Sequence, residues 1–81
     1  MGKLYVVGIG PGGYENMTLR AVKVIENSEI IVGYTRYIEM IKDLVKNKEI
    51  ISTGMRAEVE RCKKALELSK DHVVSIVSTG D

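Results

Sequence analysis

The chain has 81 residues, of which 44% are hydrophobic and 28% are charged, and its 12 basic and 11 acidic side chains leave a net charge of +1. This length predicts a single domain with a small core, and the balanced charge without Trp or Phe argues against a nucleic-acid surface. No apolar run could cross a bilayer and no secretory signal is visible, so we expect a cytoplasmic protein without a membrane segment. Cys62 and His72, the only residues of their types, cannot form a metal cluster, so we expect no metal site.

The first half of the chain predicts two strands around a helix. Residues 4–7 (LYVV) form a continuous apolar run ended by Gly8, which is typical of a strand buried on both faces. Thr18 is a favourable helix cap, and apolar residues spaced by three after it predict a helix over about residues 18–26. Residues 29–32 (EIIV) predict the second strand.

The second half repeats this alternation. Apolar residues at i, i+1, i+4, i+7 and i+8 from Tyr37 predict one continuous helix over about residues 35–47. Residues 50–52 predict a third strand, and a third helix then extends to about Ser69. Residues 72–78 (HVVSIVS) predict the fourth strand. The stripe of the third helix that we expect to be buried comprises Met55, Val59, Cys62 and Leu66.

Three strand–helix pairs followed by a strand, all with strands too apolar to alternate, predict an α/β fold with a parallel sheet covered by helices. The unusual turns, residues 8–14, 33–37, 52–56 and 78–81, each follow a strand. They contain most of the glycines together with tyrosines, arginines and an acid. Because ligands of parallel sheets bind at the carboxyl ends of the strands, we expect the functional site at that edge.

The glycine-rich segment GIGPGG, residues 8–13, fits the G-x-G-x-x-G pattern of dinucleotide-binding folds. In those folds the helix begins at the second glycine and points its free N–H groups at the pyrophosphate. Here the predicted helix begins only at Thr18. The second strand is followed by Gly33 and Tyr34 instead of the acid that binds a ribose. Two supports of the dinucleotide interpretation are thus missing, and a free-standing nucleotide- or phosphate-binding module is kept only as the alternative function. The structural alternative is that the segment is a plain strand-to-helix connection stiffened by Pro11, without a binding role.

Four segments in order carry a family resemblance: residues 4–13 (LYVVGIGPGG) followed by TLRA, residues 33–41 (GYTRYIEMI), residues 55–69 (MRAEVERCKKALELS) and residues 73–81 (VVSIVSTGD). Together they resemble the tetrapyrrole (precorrin) methylase family. Within that family the second and third segments look like the branch that methylates precorrin-3B, or its cobalt form, at C(17) in cobalamin biosynthesis. The ordered set of four is far more specific than the glycine-rich segment alone.

The resemblance implies a three-layer α/β/α fold for a domain whose sheet has the strand order 3-2-4-1-5. Residues 1–81 are expected to supply four strands in the order 3-2-4-1, as a partial N-terminal α/β domain, with strand 5 and a C-terminal domain outside this chain. Members of the family are homodimers, which is the expectation for the full-length protein. The fragment itself is expected to be inactive.

The resemblance also implies a cofactor, S-adenosyl-L-methionine, and an anionic tetrapyrrole as the substrate. The closing turn and the proline of the glycine-rich segment match positions that contact the cofactor, whereas two glycines keep the segment open beside cofactor and tetrapyrrole. The cofactor positions are Pro11, Thr79, Gly80 and Asp81, and the two glycines are Gly8 and Gly10.

Three further residues are candidates for substrate binding on chemical grounds. Arg36 and Arg56 suit a substrate with many carboxylates, since a guanidinium binds a carboxylate through two hydrogen bonds; solvated surface cations are the alternative. Tyr34 is a candidate hydrogen-bond partner of the macrocycle, with an apolar shelf as the alternative. Uroporphyrinogen-methylating relatives carry Tyr-Asp where this chain has Gly33-Tyr34, so no proton-transferring carboxylate is assigned here.

Overall fold

The computed structural model describes residues 2–9, 17–54 and 58–78, which form four strands and four helices. In chain order these are β1 (Lys3–Gly8), α1 (Leu19–Asn27), β2 (Ile30–Tyr34), α2 (Thr35–Met40), α3 (Lys42–Val45), β3 (Glu49–Thr53), α4 (Glu58–Leu68) and β4 (Val73–Ser78).

The four strands form one parallel sheet in the order β1-β4-β2-β3, which confirms the predicted order 3-2-4-1 when it is counted from the β3 side. The last strand of the chain is therefore inserted between the first two. Its register aligns Ser78 with Gly8 of β1, and Val77 with Gly33 of β2. The carboxyl ends of the strands consequently reach one edge of the sheet together.

The core has two parts, one on each face of the sheet, which confirms the three-layer α/β/α architecture. Helices α1, α2 and α3 cover one face, and α4 covers the other. The buried residues of the first part are Val7, Ile9, Ile25, Ile31, Ile38, Ile41, Val45 and Val77. Those of the second part are Ile30, Val32, Ala65 and Val74.

The segment predicted as one helix over residues 35–47 is broken at Ile41, where φ is −122° and ψ is 22°. The predicted apolar stripe is nevertheless retained, because Ile38, Ile41 and Val45 are all buried on both sides of the break. The helical segments are too short to be stable alone, so burial of these side chains, and not continuous helical hydrogen bonding, determines the conformation of this segment.

The start of α1 agrees with the prediction: the Thr18 Oγ1 accepts a hydrogen bond from the Ala21 N–H at 3.1 Å. The predicted buried stripe of α4 is wrong. Val59 is 69% exposed, Leu66 is 57% exposed and Cys62 is exposed as well, whereas Ala65 is fully buried. Residue 55 lies outside the described residues.

The physical reason for this orientation of α4 lies in the contacts of its other side. The small side chain of Ala65 lets the helix pack closely against the sheet, and Leu68, seven residues after Arg61, packs at the same core. Arg61 itself bonds to the end of β3. The hydrogen bonds of Arg61 and the close packing of Ala65 therefore determine which side of α4 faces the sheet, although the predicted stripe with Val59 and Leu66 has the larger apolar area.

Two side chains organise the opposite, amino edge of the sheet. The Lys48 ammonium donates to the carbonyls of Glu26 and Ser28, at 2.7 and 2.8 Å, and so satisfies the end of α1. The Glu29 carboxylate accepts the Val73 N–H at 2.9 Å and lies 3.5 Å from the His72 Nδ1. These contacts are structural connections between elements.

Replacement of Gly33 by alanine should destabilise the fold. Gly33 is buried in β2, and a Cβ there would lie 2.5 Å from the Val77 Cγ2 and 3.5 Å from the Ile38 Cγ1. We expect Gly33→Ala to lower the free energy of unfolding in urea by about 1–3 kcal/mol, the usual cost of overpacking. Gly54→Ala is the matched control, because a Cβ there meets nothing within 4 Å; equal losses in both variants would contradict the packing argument.

Acid should weaken the fold partly through Glu29. Its hydrogen bond from the Val73 N–H, and secondarily its interaction with His72, lower the pKa of Glu29 below the ordinary 4.5. A lowered pKa in the folded state contributes stability above pH 4.5 that is lost as the pH falls through the folded pKa. Between about pH 6 and about pH 3, Glu29→Gln should therefore show a smaller loss of unfolding free energy than the wild type. Glu67→Gln, which removes an exposed carboxylate from α4, is the control, and an unchanged acid profile in Glu29→Gln would refute the prediction.

Candidate ligand-binding edge of the sheet

The carboxyl edge of the sheet is defined here by the last residues of the four strands. In spatial order these are Gly8 of β1, Ser78 of β4, Tyr34 of β2 and Thr53 of β3. Since neighbouring strands lie about 4.8 Å apart, the four ends span roughly 15 Å. This is the edge at which the sequence predicts the site.

The β1–β4 half of the carboxyl edge is held together by the backbone. Beyond the aligned pair of Gly8 and Ser78, the Ile9 N–H donates to the Ser78 carbonyl at 2.8 Å. Ile9 and Ser78, the last described residues before the rest of the glycine-rich segment and the closing turn, therefore lie side by side. Gly8 is exposed at this point.

Five residues predicted from the family resemblance lie outside the described residues: Gly10, Pro11, Thr79, Gly80 and Asp81. Their roles remain predictions. What the structure brings together are the strand ends from which both segments depart.

The β2–β3 half carries aromatic and hydroxyl side chains. Tyr34 ends β2 in a half-buried position, and its ring meets that of Tyr37 edge to face, with centroids 5.1 Å apart and planes at 86°. The Thr35 hydroxyl donates to the Thr53 carbonyl at 3.2 Å, which connects the start of α2 to the end of β3. Arg36 is exposed in α2. The other predicted cation, Arg56, lies outside the described residues.

Arg61 of α4 is a residue of this half that the sequence analysis missed. Its Nη1 donates both to the Thr53 Oγ1, at 2.7 Å, and to the Gly54 carbonyl, at 2.9 Å. The sequence does contain a signal: Arg61 precedes Ala65 by four residues and therefore lies on the face of α4 that is turned to the sheet. A charged residue on a buried face requires polar partners, which here are provided by the end of β3.

A groove of about 350 Å³ adjoins the carboxyl edge on the α4 side of the sheet. Its lining includes Tyr34, Tyr37, Arg61, Val6, Ile76 and Ser78. A larger groove of about 510 Å³ runs between α1 and the outer side of β1, near Lys3 and Leu19, and lies away from the strand ends. Size alone therefore does not mark the predicted site.

Two observations weigh against the dinucleotide alternative. Helix α1 begins only at Leu19, ten residues beyond Ile9, so its N-terminus does not directly follow β1. Strand β2 ends in Gly33 and Tyr34, so the side chain at its carboxyl end is an aromatic ring and not a ribose-binding acid.

The described ranges contain neither a metal-binding group nor a membrane-spanning helix. Residues 2–9, 17–54 and 58–78 contain no group of three His, Cys, Asp or Glu side chains placed to hold a metal ion. None of the helices described in the structure has the length and apolar character needed to span a membrane.

A family model for tetrapyrrole (corrin/porphyrin) methylases matches residues 3–81. The chain belongs to this family. Its relatives include the cobalamin biosynthesis protein CbiHC of Archaeoglobus fulgidus, which is 54% identical over 80 residues, 99% of this chain and 18% of that protein. The cobalt-factor III methyltransferase of Priestia megaterium is 44% identical over 99% of this chain and 15% of the relative.

A third relative is the probable cobalt-factor III C(17)-methyltransferase of Salmonella typhimurium, 43% identical over 96% of this chain and 33% of its own length. The chain thus spans between 15% and 33% of the length of these three proteins. This member of the tetrapyrrole methylase family has the parallel α/β sheet that the sequence predicts.

The Tyr34–Tyr37 ring contact should couple the end of β2 to α2 energetically. In a double-mutant cycle of Tyr34→Leu and Tyr37→Leu, urea denaturation should give a coupling of about 0.5–1.5 kcal/mol, typical of an edge-to-face pair. Tyr34→Phe preserves the ring and should leave most of this coupling intact. Strictly additive losses would show that the contact does not stabilise the fold.

Proposed function

We propose that this chain belongs to an S-adenosylmethionine-dependent methyltransferase that modifies C(17) of precorrin-3B or its cobalt form in cobalamin biosynthesis. The observation that carries the proposal is the hydrogen bond between Ile9 and Ser78, because it brings the stems of both cofactor-matched segments to one place. The names of the relatives from Priestia and Salmonella support the reaction, and the name of the Salmonella relative supports the position C(17).

The β1–β4 half of the carboxyl edge suits the cofactor. Gly8 lacks a side chain and is exposed, so a ligand can approach the backbone closely there. Pro11, Thr79, Gly80 and Asp81 are the residues proposed to hold S-adenosylmethionine. When bound, this cofactor supplies an electrophilic methyl group on a sulfonium.

The β2–β3 half suits the tetrapyrrole. Arg36 and Arg56 are proposed to bind its carboxylates, and Tyr34 to contact the ring as an apolar shelf or through its hydroxyl. Gly8 and Gly10 are proposed to keep the backbone open beside cofactor and tetrapyrrole. Methyl transfer needs mainly that the accepting carbon be held in line with the methyl group, and such positioning supplies several kcal/mol of the barrier reduction.

Calorimetric titration of the protein at its natural length tests the class of function. We expect binding of S-adenosylhomocysteine and no binding of NAD. The reverse pattern would overturn the proposal in favour of the nucleotide-binding module. Incubation with S-adenosylmethionine and cobalt-factor III should then add one methyl group, detected by mass spectrometry.

Variants at the β2–β3 half test the substrate residues. Arg36→Gln should weaken binding of a carboxylated tetrapyrrole about tenfold, as expected when a charged hydrogen-bond donor is lost. Lys46→Gln, which removes an exposed cation beside the amino edge, is the matched control. For Tyr34, retained binding in Tyr34→Phe with a loss in Tyr34→Leu would identify an apolar shelf, whereas a loss in Tyr34→Phe would identify the hydroxyl as the binding group. Unchanged affinity in Arg36→Gln would remove Arg36 from the site.

A further inference from the structure

We propose that Arg61 is a positioning residue for tetrapyrrole binding, acting through the ends of β2 and β3. This inference rests on the proposed function. Arg61 is assigned no contact with either ligand. It holds in place the residues that are proposed to touch the substrate.

The argument begins with the bonds of the guanidinium. One nitrogen, Nη1, bridges the hydroxyl of Thr53 and the carbonyl of Gly54, at 2.7 and 2.9 Å. Donation from a charged group makes these bonds stronger than neutral ones. They fix α4 to the residues at which the chain leaves β3.

The constraint continues from β3 to β2. The same Thr53 accepts at its carbonyl the hydroxyl proton of Thr35, 3.2 Å away, and is aligned in the ladder with Tyr34. Arg36 is the next residue after Thr35 in the sequence. Two side-chain bonds and a strand pairing therefore connect Arg61 to the residues proposed to bind the tetrapyrrole.

The β1–β4 half of the carboxyl edge is held by other bonds. These are the backbone pairing of Gly8 with Ser78 and the Ile9–Ser78 bond, whereas the two Arg61 bonds described above go to Thr53 and Gly54 at the end of β3. Loss of Arg61 should therefore weaken binding of the substrate and leave binding of the cofactor unchanged. A purely structural arginine would affect both.

The test uses the protein at its natural length. Arg61→Gln should raise the KM for the tetrapyrrole about tenfold while the Kd for S-adenosylhomocysteine stays within about twofold of the wild type, as expected for lost charged hydrogen bonds. Arg61→Lys, which retains a charged donor, should restore part of the loss. Thr53→Val should resemble Arg61→Gln, and the double variant should be no worse than either alone. Lys64→Gln, an exposed cation of the same helix, is the control.

Amide hydrogen exchange supplies a readout that does not depend on activity. Exchange should accelerate in Arg61→Gln at residues 33–34 and 52–54 and stay unchanged at Ile9. Equal acceleration at Ile9, or equal losses of cofactor and substrate binding, would overturn the inference. If Arg61→Gln fails to fold, Arg61→Lys and Thr53→Val decide by the same criteria. A wild-type protein that binds neither ligand would refute the proposed function, while the exchange pattern would still decide whether Arg61 positions the β2–β3 half.

Discussion

The insertion of β4 between β1 and β2 is the constraint on which the rest of the structure depends. Strand β4 is the last element described, yet it is bonded to both β1 and β2. Its Val74, Ser75 and Val77 are buried, and Val77 also contributes to the core beneath α2. The four described strands are therefore joined in one sheet only when residues separated by almost the whole chain have met, and this pairing places the carboxyl end of β1 beside that of β4.

A buried polar contact supports the position of β4. The hydroxyls of Ser28, at the end of α1, and Ser75, in the middle of β4, are hydrogen-bonded to each other, and Ser28 also donates to the Val24 carbonyl at 2.8 Å. A shift of β4 by one residue would turn Ser75 to the other face and leave the hydroxyl of Ser28 without this partner. The contact thus penalises alternative registers in a strand whose other residues are almost all apolar.

The sequence was sufficient for those parts of the fold that depend on local patterns. Apolar runs located the strands, and Thr18 located the start of α1, because both signals act over a few residues. The break at Ile41 and the orientation of α4 were not predictable in this way. Each depends on which side chains the sheet can accommodate, and for α4 the deciding partner, Thr53, belongs to another element.

The same distinction applies to the candidate site. The positions of Gly8 and Tyr34 at the carboxyl edge could be predicted from the strand ends, because the carboxyl ends of parallel strands lie at the same edge of a sheet. Arg61 escaped prediction because its role consists of contacts across elements, with Thr53 and Gly54. A search for charged residues on the sheet-facing side of a helix would have found it, whereas motif matching could not.

The two halves of the carboxyl edge differ in what holds them, and this difference has a consequence for specificity. One backbone bond, from the Ile9 N–H to the Ser78 carbonyl, and the pairing of Gly8 with Ser78 hold the β1–β4 half. In the β2–β3 half the side-chain bonds of Thr35 and Arg61 add to the backbone pairing of Tyr34 with Thr53, so single substitutions can change its geometry. The proposed assignment of cofactor to the first half and tetrapyrrole to the second follows this division.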